Sequence, residues 1–376
     1  MGRSRKKPSL GQQCRILTRF GNACGICGQL LNVRNLHHIE FFARGGDDSD
    51  ENFIPLHPTC HHLFPHKLEH IVSTDRMKQL QDLRIEFNRL DALISNKICS
   101  SASDAALVLL DPAVQPLVLR FGSYGRYLQF ALDIDKELVG PAPSTHALRD
   151  CLRVFAADMA LYLDRENDFL DVALASTSRL DRSSELSSAA KAGWLVCSRL
   201  AGRVIKTKTD VEERFLERSY PGDSAMARND LWNWYFRALA FYKKTGQYNE
   251  FDSLTKAMSL LCGQPDELTK ANIQSEIARV RLYRGDPEAA YTLFSELLTS
   301  SIQSFHLRGI FLTALFLARA AVCANRYSGA AEALLICEQF RGQVARDKEN
   351  ADFESLRIDL ERIIGRDNLL AIWAKA

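Results

Sequence analysis

The 376-residue sequence predicts a mostly α-helical chain that carries a compact, ligand-rich module of different character near its N-terminus. Three observations predict this. Seven of the nine histidines fall between His37 and His70, and three of the ten cysteines are Cys24, Cys27 and Cys60. From His146 onward nearly every segment reads as amphipathic helix, broken by Gly, Pro and Asn turns. Across that helical region a single grammar recurs: small or apolar residues, a turn, then a second amphipathic helix.

Taken in order, residues 1–12 carry Arg3, Arg5, Lys6 and Lys7 and read as a basic arm, either a solvated tail or a grip on phosphates. Gln13 to Phe20 predicts a short amphipathic helix, and Gly21-Asn22 turns the chain toward Cys24. The ligand-rich domain spans residues 13–95. It ends in a helix over Asp75–Leu93, with Met77, Leu80, Leu83, Phe87 and Leu90 at helical spacing. Residues 96–145 read as a connecting region whose apolar runs ALVLL, PLVLRF and YLQFALDI suit strands or short helices equally.

Residues 146–376 form the helical repeat domain. Its turns at Gly246, Gly285 and Asn325 are 39 and 40 residues apart. Leu239, Ala278 and Ala318 precede the turns by seven residues; Phe251, Ala290 and Ala330 follow by five, and Thr255, Phe294 and Leu334 by nine. The pattern resembles tetratricopeptide-like hairpins stacked as a solenoid, although the usual period is ~34 residues. The aromatic cluster Trp232, Trp234, Tyr235, Phe236, Phe241 and Tyr242 reads as core between helices.

Chemistry concentrates in the first module. Cys24-x-x-Cys27 and His57-x-x-Cys60 each have the spacing of a metal knuckle, and together they make a tetrahedral Cys3His set for zinc. All four positions would be filled by protein, so this zinc is expected to be structural. Between the pairs lie Leu36-His37-His38-Ile39, Gly45-Gly46 and Asn52, and His61 follows Cys60 directly.

With these residues the stretch resembles the HNH endonucleases, zinc-containing subtype. The resemblance covers roughly residues 14–95 and departs from the usual pattern in having His57 where a Cys is common. It implies an α+β domain of the ββα-metal fold, followed here by the mostly α-helical region. It also implies that His37 and His61 hold a catalytic divalent ion (Mg²⁺, Mn²⁺ or Ni²⁺), with His66 as an extra ligand to be tested. By the same resemblance His38 takes the proton of the attacking water and Asn52 orients His38. Adjacent residues on a strand point to opposite sides, which separates a metal ligand at His37 from a base at His38. Arg34, Arg44 and Lys67 are candidates for contact with the nucleic-acid backbone, whereas the acidic run Asp47, Asp48, Asp50 and Glu51 reads as a solvated loop.

The totals constrain the rest. A net charge of +2 gives no global electrostatic signature, and residues 1–95 carry only a mild excess of 13 basic over 10 acidic side chains. No apolar run approaches the ~18 residues of a membrane span. Cys99, Cys151, Cys197, Cys262, Cys323 and Cys337 are scattered through helical patterns like buried free thiols, which points to a reducing cytoplasm. The expected function is a metal-dependent endonuclease on DNA with little sequence specificity. The helical region would gate it through a protein partner, a nucleotide or self-association, an architecture that resembles bacterial anti-phage effectors. The competing reading is a protein-binding helical scaffold with a non-catalytic zinc module for DNA docking.

Overall fold

The computed structural model describes residues 8–31, 35–40, 46–62, 64, 72–98, 100–111, 113–140, 142–163, 165, 168–181, 238–239, 242–243, 245–261 and 267–375. Two compact units emerge: Met1–Tyr124 with Leu298–Ala376, and the intervening Gly125–Leu297. This division cuts across the expected one, in which residues 146–376 formed a single domain. The C-terminal helices complete the core of the N-terminal module, so the first unit is discontinuous in sequence.

In the first unit α1 (Leu10–Arg19) starts where the Ser9 hydroxyl accepts from Gln12 N–H, and it buries Ile16 and Leu17. Gly21 and Asn22 follow in left-handed conformations (φ 62° and 57°), making the expected turn. Strands β1 (Leu36–His38) and β2 (Phe53–Pro55) pair antiparallel, with His37 opposite Ile54 and His38 opposite Phe53. A 3-10 turn, Asp50–Asn52, leads into β2, and the short α2 (Pro58–His62) leaves it. The long α3 (Thr74–Ile98) lies behind the hairpin. Met77, Leu80, Phe87 and Leu90 are buried as expected, Leu83 is only half-buried, and two polar residues, Gln81 and Arg84, are buried in the same helix. Gln81 donates to the Phe53 carbonyl at 2.8 Å and so pins β2 to α3.

The connecting region is helical: α4 (Ala102–Leu109), α5 (Val114–Phe121) and α6 (Tyr124–Glu137). Runs of Leu, Val and Ala suit either secondary structure, and burial against neighbouring helices decides for helix. Helix α5 ends at Gly122 (φ 70°), and a Cβ there would stand 2.3 Å from Val344 Cγ1.

In the second unit α7 (Pro143–Leu161) packs on α8 (Leu170–Asp181) through Val154, Ala157, Leu161, Ala173 and Leu180. Buried Asp150 takes two hydrogen bonds from Arg179, at 2.8 and 2.5 Å. A second cluster joins Ala238, Leu239 and Tyr242 to α9 (Tyr248–Leu261) and α10 (Glu267–Tyr283) through Phe251, Ile273 and Val280. Of the aromatic cluster assigned to the core, Tyr242 alone falls among the described residues, and it is buried. Helix α11 (Pro287–Ser304) crosses from this unit into the first.

The first unit is completed by α12 (Leu307–Cys323), α13 (Tyr327–Val344), α14 (Asp347–Ile364) and α15 (Arg366–Lys375). Gly246, Gly285 and Asn325 all adopt left-handed turns, at φ 71°, 81° and 59°. Leu239, Ala278, Ala318, Phe251, Ala290, Ala330, Phe294 and Leu334 are all buried, while Thr255 is half-exposed and bonds back to the Phe251 carbonyl. A left-handed turn flanked by buried residues is thus common to all three positions. No single helix among the described residues is long and apolar enough to cross a membrane. Cys337 is a buried free thiol, Cys151 is half-buried, and Cys323 is exposed against expectation; Cys99, Cys197 and Cys262 lie outside the described residues.

Candidate functional site

Two clusters of side chains are built around the β1–β2 hairpin. The first is the knuckle. Cys24 N–H donates to Gln29 O and Gly28 N–H to Cys24 O, each at 2.9 Å, and Gly28 takes the left-handed φ of 72° that closes the turn. Gly25 N–H donates to Pro55 O at 2.8 Å, and a Cβ on Gly25 would meet Ile54 Cγ1 at 2.5 Å, so the knuckle lies flush on β2. Helix α2 then brings in Cys60. The sulfurs of Cys24, Cys27 and Cys60 all lie within 4.8 Å of one another, and all three residues are buried.

The thiols titrate as a set. Burial pushes Cys24 up, but hydrogen bonds from Cys27 and Cys60 and from the His57 and Cys27 amides bring it well below the ordinary thiol value. Cys27, bonded to Cys24, is pushed up to about 12, and burial drives Cys60 well above the usual range. Three buried anions so close together repel, so without a cation the pocket favours a single thiolate. A dication suits such a set.

His57 is not part of the close group, which among the described residues consists of the three thiols. Its backbone N–H instead bonds the Cys24 sulfur, and its ring Nδ1 is buried without a hydrogen-bond partner. An orphaned nitrogen three residues before Cys60 and three clustered sulfurs form a donor set that fits zinc.

The second cluster is the histidine pair. His37 Nδ1 stands 3.3 Å from His61 Nε2, with ring centroids 5.0 Å apart and planes at 75°. That separation is what two imidazole nitrogens have when both ligate one ion at ~2.1 Å. His38 is buried; its Nε2 lies 3.1 Å from Asp48 Oδ1 and its ring packs on Phe53 at 4.1 Å between centroids.

The Asn52 side chain hydrogen-bonds the loop backbone rather than the His38 ring that the resemblance has it orient. Its Oδ1 accepts from Glu40 N–H at 2.8 Å, and its Nδ2 donates to Glu40 O at 3.0 Å and Asp47 O at 2.8 Å. It clamps the two ends of the loop between the strands. Gly46 is required there, since a Cβ would fall 2.0 Å from Glu40 O. The acidic run is likewise not simply solvated. Asp48 holds His38, Asp50 pairs with Arg15 at 2.8 Å, and Asp47 accepts from Ser49 N–H and Oγ at 3.1 and 2.7 Å.

Residues Arg34, Arg44, His66 and Lys67 lie outside the described residues, and His62 is exposed. Three residues were missed by sequence reasoning. Asp48 had no distinguishing signal. Arg84 did: it sits four residues after Leu80 and three before Phe87, a charge on the apolar stripe of its helix. Gln339 on α13, which donates to the Cys60 sulfur at 3.1 Å, lies on the buried face beside Phe340.

Residues 24–63 match the family model of the HNH endonucleases. The match spans both clusters and supports a metal-dependent nuclease, hence nucleic-acid binding, in general terms. Neither a curated protein nor a solved structure matches the chain.

Proposed function

We propose that this chain is a DNA endonuclease of little sequence preference, hydrolysing phosphodiester bonds with one divalent cation held by His37 and His61. The carrying observation is the 3.3 Å approach of His37 Nδ1 to His61 Nε2, made by β1 and α2, while neighbouring His38 meets Asp48. When bound, the cation supplies charge that polarises a nonbridging phosphate oxygen and stabilises the leaving oxyanion. An imidazole pair suits Ni²⁺ better than Mg²⁺, with Mn²⁺ as a further candidate.

The protein's own groups supply the proton chemistry. In the tautomer with the proton on Nε2, which the Asp48 carboxylate at 3.1 Å favours, the His38 lone pair lies on Nδ1 and would take the proton of the attacking water. Phe53 fixes the tilt of that ring. Asn52 acts one step further back, setting the loop from which Asp48 reaches in. The zinc set of Cys24, Cys27, Cys60 and His57 holds the hairpin and α2 together, and so holds His61 toward His37.

A nuclease of low specificity harms its own cell unless restrained. The helical hairpins, read as tetratricopeptide-like, are assigned that restraint, released by a protein or nucleotide partner or by self-association, as in an anti-phage effector. Support comes from α13, whose Gln339 bonds the knuckle directly.

Plasmid cleavage in Mg²⁺, Mn²⁺ or Ni²⁺ tests the core of this. His38→Ala should lower cleavage by ~10²–10⁴-fold with metal binding retained, and His37→Ala should abolish the metal response. Unchanged cleavage in His38→Ala removes the base assignment, and chelator-resistant cleavage removes the cation.

A further inference from the structure

We propose that Arg84 is the internal counter-cation of the zinc knuckle, balancing the single negative charge left when one dication is held by three thiolates and a neutral imidazole. The inference rests on the zinc reading of Cys24, Cys27, Cys60 and His57, and not on the nuclease reading.

Arg84 is 3% exposed and lies in the middle of α3. Its Nη2 donates to Ile26 O at 2.7 Å and its Nε to Gly25 O at 3.3 Å, the carbonyls of the two residues between Cys24 and Cys27. Phe121 of α5 covers the guanidinium, 3.7 Å from ring centroid to Cζ, and Phe87 stands at 5.6 Å. Among the described residues no carboxylate pairs with it; burial pulls the guanidinium pKa down to about 10, and the groups that oppose this are the Cys24, Cys27 and Cys60 sulfurs. A buried cation without a partner is strongly destabilising, and arginine is rarely buried without one.

The thiolates are that partner. Three thiolates around a dication with an uncharged fourth ligand leave one net negative charge, whereas four thiolates leave two and a Cys2His2 set leaves none. One buried guanidinium therefore matches three thiolates with a neutral fourth ligand, the place the His57 ring would take, and neither alternative. Gly28 completes the fit: a Cβ there would lie 3.1 Å from Arg84 Nη1, on a backbone already left-handed. The geometry thus gives α3 two tasks, supporting β2 through Gln81 and neutralising the metal site through Arg84.

The alternative is that Arg84 is only a hydrogen-bonding strut for the Gly25 and Ile26 carbonyls. The full-length chain is loaded with Zn²⁺ or Co²⁺, and wild type, Arg84→Lys and Arg84→Met are compared by chelator competition for zinc and by the visible spectrum of the Co²⁺ form. Arg84→Met should weaken zinc binding ~10–100-fold or leave the protein unfolded. Arg84→Lys, which keeps the charge and loses the fork, should fold, keep a tetrahedral Co²⁺ spectrum and bind zinc closer to wild type than to Arg84→Met. Equal loss in both variants, including failure of both to fold, overturns the charge role in favour of the strut. So does wild-type affinity in Arg84→Met. A wild-type protein lacking the tetrahedral Co²⁺ spectrum would remove the zinc reading and this proposal together, while leaving the plasmid-cleavage test of the histidines untouched.

Discussion

Asp48 decides what His38 can do. A histidine acting as base must present a lone pair in a fixed direction, and a carboxylate 3.1 Å from Nε2 selects the tautomer and holds the ring. Asp48 itself is 40% exposed at the side chain, so on its removal water can take its place beside the buried His38 Nε2 and the fold should tolerate the change. Asp48→Ala is therefore expected to lower kcat ~10–100-fold with KM, zinc content and Tm near wild type. A parallel loss of Tm would make the residue merely structural. Gly46 makes a complementary case. A methyl there collides with the Glu40 carbonyl that Asn52 also binds, so Gly46→Ala must open the loop. Cleavage should fall sharply while zinc stays bound, because the knuckle lies in other segments; zinc loss on this substitution would contradict the separation.

Among the elements, α12 carries a titrating cap. His306 Nδ1 accepts from Gly309 N–H at 2.9 Å, and burial, together with Arg120 and Arg308, pushes the imidazole pKa down to about 4. In the unfolded chain a histidine takes up its proton near ~6.5. Between these two values the unfolded state binds more protons than the folded one, so stability is complete above ~6.5 and declines as the pH falls toward about 4. The loss attributable to this group is on the order of 2–3 kcal/mol. His306→Asn keeps a capping acceptor without the proton. Its urea midpoint should drop less than that of wild type between pH ~7 and ~4.5. Equal drops would show that His306 does not set the acid sensitivity of this helix pair.

At the scale of the molecule, the first unit is closed by residues up to 279 positions apart in the chain. Gln339 bonds Cys60, and Phe64 sits between Phe305 and Phe340 with centroids 6.4 and 6.1 Å away. The α12–α13 hairpin thus belongs to the core that holds α2, the element carrying both Cys60 and His61. Truncating Phe340 to Ala should cost ~3–5 kcal/mol, as for other fully buried aromatics. Stripping zinc with a chelator should speed amide exchange in α2 and α13 together. Exchange confined to the knuckle, with α13 unchanged, would show that the metal and the C-terminal hairpin are not coupled.

The sequence by itself determined whatever depends on short spacing. The C-x-x-C turn with its downstream Cys60, the adjacent histidines on one strand and the left-handed hairpin turns at Gly246, Gly285 and Asn325 are each set by a few consecutive residues. Backbone geometry converts those spacings directly into position. Only the tertiary structure decided the rest. It folded the apolar runs of the connecting region into α4, α5 and α6, gave the Asn52 side chain to the loop backbone and set Asp48 beside His38. It also withheld the His57 ring from the thiol group, and buried Arg84 and Gln339 against the knuckle from helices that begin far away in the chain. The physical reason is that a polar side chain's partner is chosen by desolvation among whatever the fold brings near, and sequence spacing carries no record of that choice across long separations.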